Sequence, residues 1–300
     1  MDVSIIYVNY RTGQLIQNSI DSVYKHVNGI KYEIIVVDNS SNDGSVEEIK
    51  VAYPDVILIK AGGNLGFGRA NNIGIKKARG EMVFFLNPDT LLVNNAVGIL
   101  YDFLKKYEEV GACGGNLYSM DMRPVNSFGR VFPNLWQELA SVVYLSPIFS
   151  SNPRSRNFNY TDSPMPVSMI IGADLMVKKN VLDRSGMFSP EFFMNFEETD
   201  LCYRIKKSGY KVYSVPNAHI IHLEGESESS NIKRLRFYLT GEYIYFKKHF
   251  GLIITYILFG IISLKCISRI VLFSLFFRKS KINYWVSKYK INLLSFKTFQ

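Results

Sequence analysis

Short apolar strand patterns alternate with helical patterns through the first hundred residues, and this alternation constrains the fold more than any other feature. The strand candidates are rich in Val, Ile and Phe and cover residues 3–8, 33–37, 56–59 and 82–86. The helix candidates cover residues 15–27, 46–52, 66–78 and 96–106. Such repeated βαβ units predict an α/β fold with a mostly parallel central sheet flanked by helices. Ligands of such sheets bind at the carboxyl ends of the strands.

The pattern is looser between residues 111 and 217. We predict strands at residues 165–171 and 211–215 and a helix at 198–208, which Gly209 ends. Residues 126–134 fit either a strand pair or an irregular loop. Residues 146–166 are rich in Ser, Pro and Asn and predict a long surface loop.

The positive charge of the chain is concentrated in its last sixty residues. The formal net charge is +9, yet no Asp or Glu follows Glu242. Ten cations lie beyond that point, which leaves the rest of the chain at about −1 (9 − 10). They are Lys247, Lys248, Lys265, Arg269, Arg278, Lys279, Lys281, Lys288, Lys290 and Lys297. Because the basic residues accompany an apolar tail and not a cleft, a nucleic-acid-binding function is disfavoured.

The same tail contains two apolar runs, residues 252–264 and 270–277, separated by Lys265 and Arg269. A spanning helix needs about 20 apolar residues, and a cation at mid-bilayer costs about 2.5–3.5 kcal/mol. We therefore predict an interfacial or re-entrant pair of amphipathic segments, attracted to an anionic cytoplasmic leaflet through residues 247–300. A helical cap on the main domain, or a surface for a protein partner, is the alternative.

The cysteines indicate a reducing compartment. Cys113, Cys202 and Cys266 are far apart and odd in number, so they predict neither a disulfide framework nor a zinc site. The first apolar run, residues 3–8, is too short for the core of a signal peptide. We expect a cytoplasmic location at the membrane.

Polar clusters follow two of the strand candidates and predict a ligand pocket. Val8, Asn9 and Tyr10 end the first strand, and Asp38 and Asn39 end the second. A carboxylate at a strand end accepts hydrogen bonds from a base N–H or a ribose hydroxyl. Asp, Asn and Ser also form ordinary turns and helix caps, which is the competing interpretation.

Two further clusters predict phosphate and cation binding. The glycine-rich run 62–72 contains Asn64, Gly66, Arg69 and Asn71, and leads into the helix candidate 66–78, whose N-terminus favours phosphate. It matches neither the dinucleotide-binding fingerprint nor the P-loop. Residues 84–90 end a buried strand with Asn87 and Asp89. Oxygen ligands of this kind suit hard divalent cations that also bind substrate phosphates.

An acidic cluster predicts a general base. Glu197, Glu198 and Asp200 are three acids within four residues, and such crowding raises the pKa of one of them. An acidic helix start that complements the helix dipole explains the same residues equally well. His222 ends a later strand candidate, and its role as a ligand depends on its neighbours.

These stretches together resemble family 2 glycosyltransferases of the GT-A fold, and more narrowly their bacterial rhamnosyltransferase-like branch. The matching stretches occur in the family's order over about residues 1–230 and are VSIIYVNY, VVDNSSNDGS, NLGFGRANNIGI, FFLNPDT, GADLMVKK, FEETDLCYR and HLEGES. The resemblance implies a nucleotide-diphospho-sugar transferase fold followed by C-terminal amphipathic or hydrophobic helices. It also implies an inverting enzyme of cell-surface polysaccharide biosynthesis.

The resemblance also implies roles for the matched residues. The donor would contact Val8, Asn9, Tyr10, Asp38, Asn39, Asn64, Gly66, Arg69, Asn71 and Asn87. Asp89 and His222 would bind Mn²⁺ or Mg²⁺, with Asn87 where the family's metal motif often has an acid. The catalytic pair falls on Glu197 and Glu198, with Glu198 as the base in a place where Asp is usual. Asp200 would support this pair or touch the acceptor.

The resemblance divides the chain at residue 228. Residues 1–110 would bind the nucleotide sugar, residues 111–228 would face the acceptor, and residues 229–300 would form the membrane-associating tail. The donor sugar stays open between rhamnose from dTDP-rhamnose, a UDP-hexose and galactofuranose. The acceptor is a glycan or a lipid-linked saccharide, and a homo-oligomer is possible.

Two other functions compete with sugar transfer as interpretations of the sequence. A sugar-nucleotide pyrophosphorylase would carry a glycine-rich basic loop after the first strand, which residues 8–13 lack. A non-catalytic membrane-bound scaffold with a decayed site is the second alternative.

Overall fold

The computed structural model describes residues 1–40, 43–142, 157–223 and 231–299. Its first half contains β1 (Val3–Asn9), α1 (Gly13–His26), β2 (Tyr32–Asp38), α2 (Ser45–Ala52), β3 (Ile57–Lys60), α3 (Phe67–Lys77), β4 (Met82–Leu86), β5 (Thr90–Leu92), α4 (Ala96–Lys106), β6 (Val110–Tyr118) and β7 (Phe128–Gly129). Its second half contains α5 (Leu135–Val142), β8 (Met165–Val167), β9 (Met169–Ile170), β10 (Asp174–Lys178), α6 (Lys179–Ser185), α7 (Glu197–Lys207), β11 (Lys211–His222), α8 (Asn231–Phe250), α9 (Leu252–Leu275) and α10 (Lys279–Phe299).

Nine of these strands form one sheet, in the order β3-β2-β1-β4-β10-β6-β11-β5, with β8 also paired to β11. Six strands run in one direction, and β10, β5 and β8 run in the other. The carboxyl ends of β1, β2, β4 and β11 therefore lie at the same edge of the sheet. The amino end of β10 lies there too, because Asp174 pairs with Leu86.

Both faces of the sheet are covered, which explains why its strands are apolar throughout. Residues of β1 alternate between two buried clusters, since successive side chains of a strand point to opposite faces. Val3, Ile5 and Tyr7 belong to one cluster with residues of α1 and α4. Ile6 and Val8 belong to the other with residues of α3, α6 and α7. The core thus lies in two layers on either side of the sheet.

The predicted α/β pattern is confirmed for the first hundred residues, where four strands and four helices lie within a few residues of the predicted bounds. Strands β5, β6 and β10 were not predicted. The predicted strand 211–215 is the start of β11, which continues to His222. The predicted strand 165–171 is two strands: β8 joins the large sheet, and β9 pairs with β7, which lies in the unassigned stretch 126–134. Much of the predicted loop 146–166 lies outside the described residues.

The chain divides into two compact units. The first contains residues 1–132, 154–193 and 197–228, and the second contains residues 133–153, 194–196 and 229–300. Within the described parts of the second unit, α5, α8, α9 and α10 pack on one another, and we call this second unit the helical unit. The roles assigned to residues 1–110, 111–228 and 229–300 stay predictions.

The prediction of two short tail segments is wrong, because the single 24-residue helix α9 contains the first run and most of the second. Lys265 and Arg269 do not break it, since both point into the helical unit. The Lys265 ammonium lies 3.5 Å from the Glu138 carboxylate, and the Arg269 guanidinium donates to the Ser141 carbonyl at 2.8 Å. By length and composition alone, α9 is the one helix among the described residues that is able to cross a membrane.

A buried carboxylate ties three parts of the first unit together and provides a stability test. Glu33 accepts hydrogen bonds from the Ser4 hydroxyl at 2.6 Å, the Arg79 main-chain N–H at 2.7 Å and the Arg79 guanidinium at 2.8 Å. Burial raises the pKa of Glu33, but these hydrogen bonds and the charge of Arg79 lower that pKa below its ordinary value. The Glu33 carboxylate therefore stabilises the fold in its ionised form.

We expect Glu33→Gln to lower the free energy of unfolding by about 1–3 kcal/mol at neutral pH, measured by urea denaturation. Because the pKa of Glu33 is depressed in the folded state, its contribution is present above the unfolded-state pKa. It is lost as the pH falls through the folded-state pKa, so the two proteins should converge in acid. Glu81→Gln, which removes an exposed ion pair with Lys105, is the control and should change stability far less. A difference that stays constant down to acid pH would contradict this account.

Candidate active site

The ends of β1 and β2 bring Asn9 and Asp38 side by side, as their register in the sheet requires. Asn9 is fully buried, and its amide donates to the Ser45 hydroxyl at 2.8 Å and to the Asp38 carboxylate at 3.5 Å. Its amide oxygen accepts from the Thr12 hydroxyl at 2.5 Å. Asn9 thus orients Asp38, whereas Tyr10, the next residue, is exposed.

The two loops beyond these strand ends turn sharply. Arg11 and Ser40 both adopt positive φ angles, of 57° and 64°. Side chains that are not glycine adopt this conformation at an energetic cost, and such residues concentrate at functional sites. Ser41 and Asn42, which follow Ser40 in the matched motif, lie outside the described residues.

Asn39 and Asn64 hold the glycine-rich loop against the end of β2. The Asn39 amide donates to the Asn64 side chain at 3.1 Å and accepts from the Leu65 main-chain N–H at 2.8 Å. The Asn64 side chain in turn accepts from the Gly66 N–H at 3.1 Å. These two predicted donor-binding residues therefore shape the loop through hydrogen bonds within the protein.

Gly66 permits a close contact between the start of α3 and a distant segment. Its φ is +82°, and a Cβ at this position would lie 2.1 Å from the Phe193 carbonyl oxygen. That same oxygen accepts from the N–H of Phe67, the first residue of α3, at 3.0 Å. The N-terminus of α3 was predicted to bind phosphate. One of its main-chain N–H groups already donates to a carbonyl of the protein.

The predicted donor residues Arg69 and Asn71 also make contacts within the first unit. The Arg69 guanidinium donates to the Pro190 carbonyl at 2.6 Å. The Asn71 amide donates to the Phe67 carbonyl at 3.1 Å. The Asn71 side-chain oxygen is buried and has no hydrogen-bond partner among the described residues, so its acceptor capacity is unsatisfied there.

Asp89 and His222 come together although they are 133 positions apart (222 − 89). Strand β11 pairs with β5 so that His222 lies opposite Thr90, and the Leu223 N–H donates to the Asp89 carbonyl at 2.9 Å. The His222 Nε2 lies 3.5 Å from the Asp89 Oδ1. One carboxylate and one imidazole, both partly exposed, are suitable ligands for Mn²⁺ or Mg²⁺.

The turn that carries Asp89 is fixed through its main chain. The Asn87 N–H donates to the Ala173 carbonyl at 3.0 Å, and the Asn87 carbonyl accepts from the Thr90 hydroxyl at 2.6 Å. The described residues contain no group of three or more His, Cys, Asp or Glu side chains placed to hold a metal. A cation at this turn would therefore take its remaining ligands from the substrate and water.

Glu197 and Glu198 begin α7 on the same side of the sheet as α3. Glu197 is buried, and its Oε2 has no hydrogen-bond partner among the described residues. Burial and the neighbouring Glu198 charge raise the pKa of Glu197 well above its usual range. Burial also raises the pKa of Glu198, whose side chain lies 3.8 Å from the position of a Cβ on Gly172. A raised pKa suits a carboxylate that accepts a proton near neutral pH.

Asp200 is already engaged within the protein. It is fully buried, and its Oδ2 accepts from the Ser189 hydroxyl at 2.7 Å and from the Arg204 guanidinium at 2.9 Å. Arg204 also donates to the Gly186 and Met187 carbonyls. Asp200 and Arg204 thus hold the segment that precedes the acid pair.

Asp174 is a buried acid at this edge to which the sequence analysis assigned no role. Its Oδ2 accepts from the Gly115 N–H at 2.5 Å, and its Oδ1 has no hydrogen-bond partner among the described residues. Burial raises the pKa of Asp174 well above its usual range, although the Gly115 hydrogen bond opposes this. The sequence signal that could have identified Asp174 is an acid at the start of an otherwise apolar run, in the matched stretch GADLMVKK. The matched residues 224–227, by contrast, lie outside the described residues.

Comparisons with solved structures show the fold. PcManGT, a mannosyltransferase from Pyrobaculum calidifontis solved with GDP-Man and Mn²⁺, matches with a TM-score of 0.62 and 15% identity over 99% of this chain and 86% of its own. GalNAc-T7, solved with UDP, GalNAc and Mn²⁺, matches with a TM-score of 0.58 and 18% identity. That match covers 83% of this chain and 50% of the other, so this chain spans half its length. The predicted GT-A fold is confirmed.

Sequence comparison gives the class and then the family. N-acetylglucosaminyl-diphospho-decaprenol L-rhamnosyltransferase of Mycobacterium tuberculosis is 28% identical over 215 residues, which are 65% of this chain and 67% of that protein. The class is therefore a sugar-transferring enzyme, as the resemblance implied. The family model described as "Glycosyl transferase family 2" matches residues 4–177, and the chain belongs to this family. This membership sets aside the pyrophosphorylase and the non-catalytic scaffold.

Proposed function

We propose that this glycosyltransferase inverts the anomeric carbon as it moves L-rhamnose from dTDP-rhamnose to a hydroxyl of a lipid-linked saccharide or glycan. The observation that carries the proposal is the half-buried Glu198 at the start of α7, beside Gly172. Asp38 and the Asp89–His222 pair lie along the sheet edge at which Gly172 enters β10. The name of the mycobacterial relative supports both the sugar and a lipid-linked acceptor. UDP-hexoses and UDP-galactofuranose are the competing donors in the screen that tests this choice.

The nucleoside of the donor binds at the ends of β1 and β2. Asp38, which accepts a hydrogen bond from Asn9 at the end of β2, accepts from a base N–H or a ribose hydroxyl of the donor. Val8, Asn9 and Tyr10 line this part of the pocket, and Tyr10 is the exposed member able to stack on the base. Asn71 offers its open side-chain oxygen to a donor hydroxyl.

Asp89 and His222 would hold the divalent cation, with Asn87 in the same turn as Asp89. When bound, Mn²⁺ or Mg²⁺ neutralises the charge that develops on the leaving nucleoside diphosphate. The protein contributes the fixed turn at Asn87 and the pairing of β5 with β11, which set the distance between the two ligands.

Glu198 acts as the general base. The acceptor oxygen attacks the anomeric carbon from the side opposite the diphosphate, and the carbon–oxygen bond to the diphosphate breaks. The Glu198 carboxylate takes the proton of the acceptor hydroxyl in the same displacement. Burial and the neighbouring Glu198 charge raise the pKa of Glu197, which favours its uncharged form beside this base.

We expect Glu198→Gln to lower the turnover number by at least about 100-fold, because the amide cannot accept the proton. The donor dissociation constant should stay near that of the unchanged enzyme, since Gln keeps the size of the side chain. The unchanged enzyme should gain activity as the pH rises through the raised pKa of Glu198. Turnover is measured as nucleotide released from dTDP-rhamnose, and Glu191→Gln is the control on a nearby exposed acid. Near-normal turnover of Glu198→Gln would remove Glu198 as the base.

We expect Asp89→Ala to weaken donor binding at least tenfold in the presence of Mn²⁺ and much less in its absence, because Asp89 acts on the donor through the cation. Isothermal titration with dTDP and with dTDP-rhamnose, with and without Mn²⁺, measures this difference. Asp55→Ala is the control, since Asp55 is an exposed acid in the turn before β3, away from these strand ends. Equal affinities in Mn²⁺ for Asp89→Ala and the unchanged protein would remove Asp89 from the cation site.

We further propose that the helical unit places the enzyme at the cytoplasmic face of the membrane, where lipid-linked acceptors reside. One side of α9 is exposed and uncharged, and it carries Ile253, Ile257, Leu264, Ile267, Val271 and Leu275. These residues recur at intervals of three, four and seven, which is the spacing of one helix face. Phe276 and Phe277 extend the same apolar surface.

The opposite side of α9 favours lying on the membrane over crossing it. It carries Lys265 and Arg269, which bond Glu138 and Ser141 of α5, so a spanning α9 would take these groups and the helix that pairs them into the bilayer. Helix α10 packs on α9 and carries the exposed cations Lys279, Lys281, Lys290 and Lys297. Each of these cations contributes about 1 kcal/mol at an anionic surface. An amphipathic helix lying in the interface agrees with both observations.

We expect the protein to float with vesicles that contain about one third phosphatidylglycerol and to be released from them by salt. Ile267→Asp combined with Val271→Asp should abolish flotation without loss of folding, because both side chains are exposed. Val51→Asp, on a more exposed apolar residue of α2, is the control. A chain that stays unbound to these vesicles, or one that forms a dimer lost in the double variant, would contradict the membrane role of this face.

A further inference from the structure

Asn72 of α3 makes two hydrogen bonds to the main chain of one distant residue. Its amide nitrogen donates to the Phe188 carbonyl at 2.7 Å, and its amide oxygen accepts from the Phe188 N–H at 3.0 Å. A planar amide that donates to and accepts from the same residue fixes both its position and its direction. These bonds engage both functional atoms of Asn72, although it lies in the glycine-rich run first interpreted as part of the donor site.

Two other residues of α3 hold the same segment, residues 186–193. Arg69 donates to the Pro190 carbonyl, and the Phe67 N–H donates to the Phe193 carbonyl. Three successive points of an otherwise irregular segment are thus bonded to one rigid helix. Such a segment keeps a single conformation, because its main-chain groups have protein partners in place of water.

The segment is held from its other side by α7, the helix that begins with the acid pair. Ser189 donates to Asp200, and Arg204 donates to the Gly186 and Met187 carbonyls. A Cβ added to Gly68 in the first turn of α3 would lie 3.1 Å from the Phe188 Cβ and 3.5 Å from the Glu197 Cβ. Helix α3, the segment and the start of α7 are therefore in mutual contact, with Phe188 between the two helices.

We propose that Asn72 is a positioning residue for Glu198, which it serves by fixing Phe188 and through it the start of α7. This inference rests on the proposed role of Glu198 as the base. The loss of Asn72 leaves the Phe188 ring packed against Phe85, at 4.8 Å between ring centroids, but frees the direction of its main chain. A displacement of about 1 Å at a reacting group costs as much as 100-fold in rate.

The test compares Asn72→Ala with Asn95→Ala. Asn95 makes the same kind of paired contact, donating to the Asn28 carbonyl at 3.1 Å and accepting from the Asn28 N–H at 3.5 Å. It lies at the amino edge of the sheet, opposite the candidate site, so it controls for a general loss of stability. Asn72→Ser, which retains a group that both donates and accepts, replaces Asn72→Ala where the latter does not fold.

Amide hydrogen exchange and single-site turnover give two independent measurements. In Asn72→Ala, amides of residues 186–204 should exchange at least about tenfold faster than in the unchanged protein, and in Asn95→Ala they should not. Turnover per donor-binding site, counted by titration with dTDP, should fall about 10- to 100-fold in Asn72→Ala only. The dTDP affinity should change less than twofold in both variants.

The outcomes separate this inference from the proposed function. Unchanged exchange in residues 186–204 of Asn72→Ala overturns the inference whatever the activity. Faster exchange with undiminished turnover per site overturns it too, because the segment would then move without affecting the base. An unchanged protein that releases no nucleotide from any donor refutes the proposed function instead.

Discussion

The parallel pairing of β1 with β2 and β4 is the constraint on which the candidate site depends. It places Asn9 opposite Asp38 and ends three strands at one edge of the sheet. The antiparallel strand β10 then enters beside β4 and brings Gly172 and Asp174 to that edge. A slip of one residue in this register would turn Asp38 away from its partner and expose an apolar side chain in its place.

The sequence predicted the local elements of the first hundred residues, because their apolar periodicity is set by the sheet and its two covering layers. It did not predict that β10 lies between β4 and β6, since that position depends on contacts between residues more than sixty positions apart. The motifs identified candidate site residues, but they did not predict which distant residues hydrogen-bond to the motif residues. Asn72 and Phe188 are 116 positions apart, and no local pattern relates them. By contrast, Asp200 and Arg204 are four residues apart on one helix, a spacing from which their ion pair can be predicted locally.

The helical unit shows why charge in an apolar run is a weak guide to its surroundings. When their own segment is considered alone, Lys265 and Arg269 are two charges that interrupt an apolar run and make its burial unfavourable. Their partners, Glu138 and Ser141, lie more than 120 positions earlier in α5. Glu242 is buried in the same unit, where burial and the nearby Glu138 charge raise its pKa to about 8. A buried polar network of this kind costs desolvation and favours one arrangement of the helices.

The two buried carboxyls Glu197 and Asp174 have a consequence for the electrostatic potential of the strand edge. Counted by residue type, this edge is rich in acids and would repel a nucleoside diphosphate. Burial favours the uncharged form of both side chains, so the field there is less negative than the sequence indicates. A nucleoside diphosphate bound at this edge would therefore meet less repulsion from these carboxyls than their number indicates.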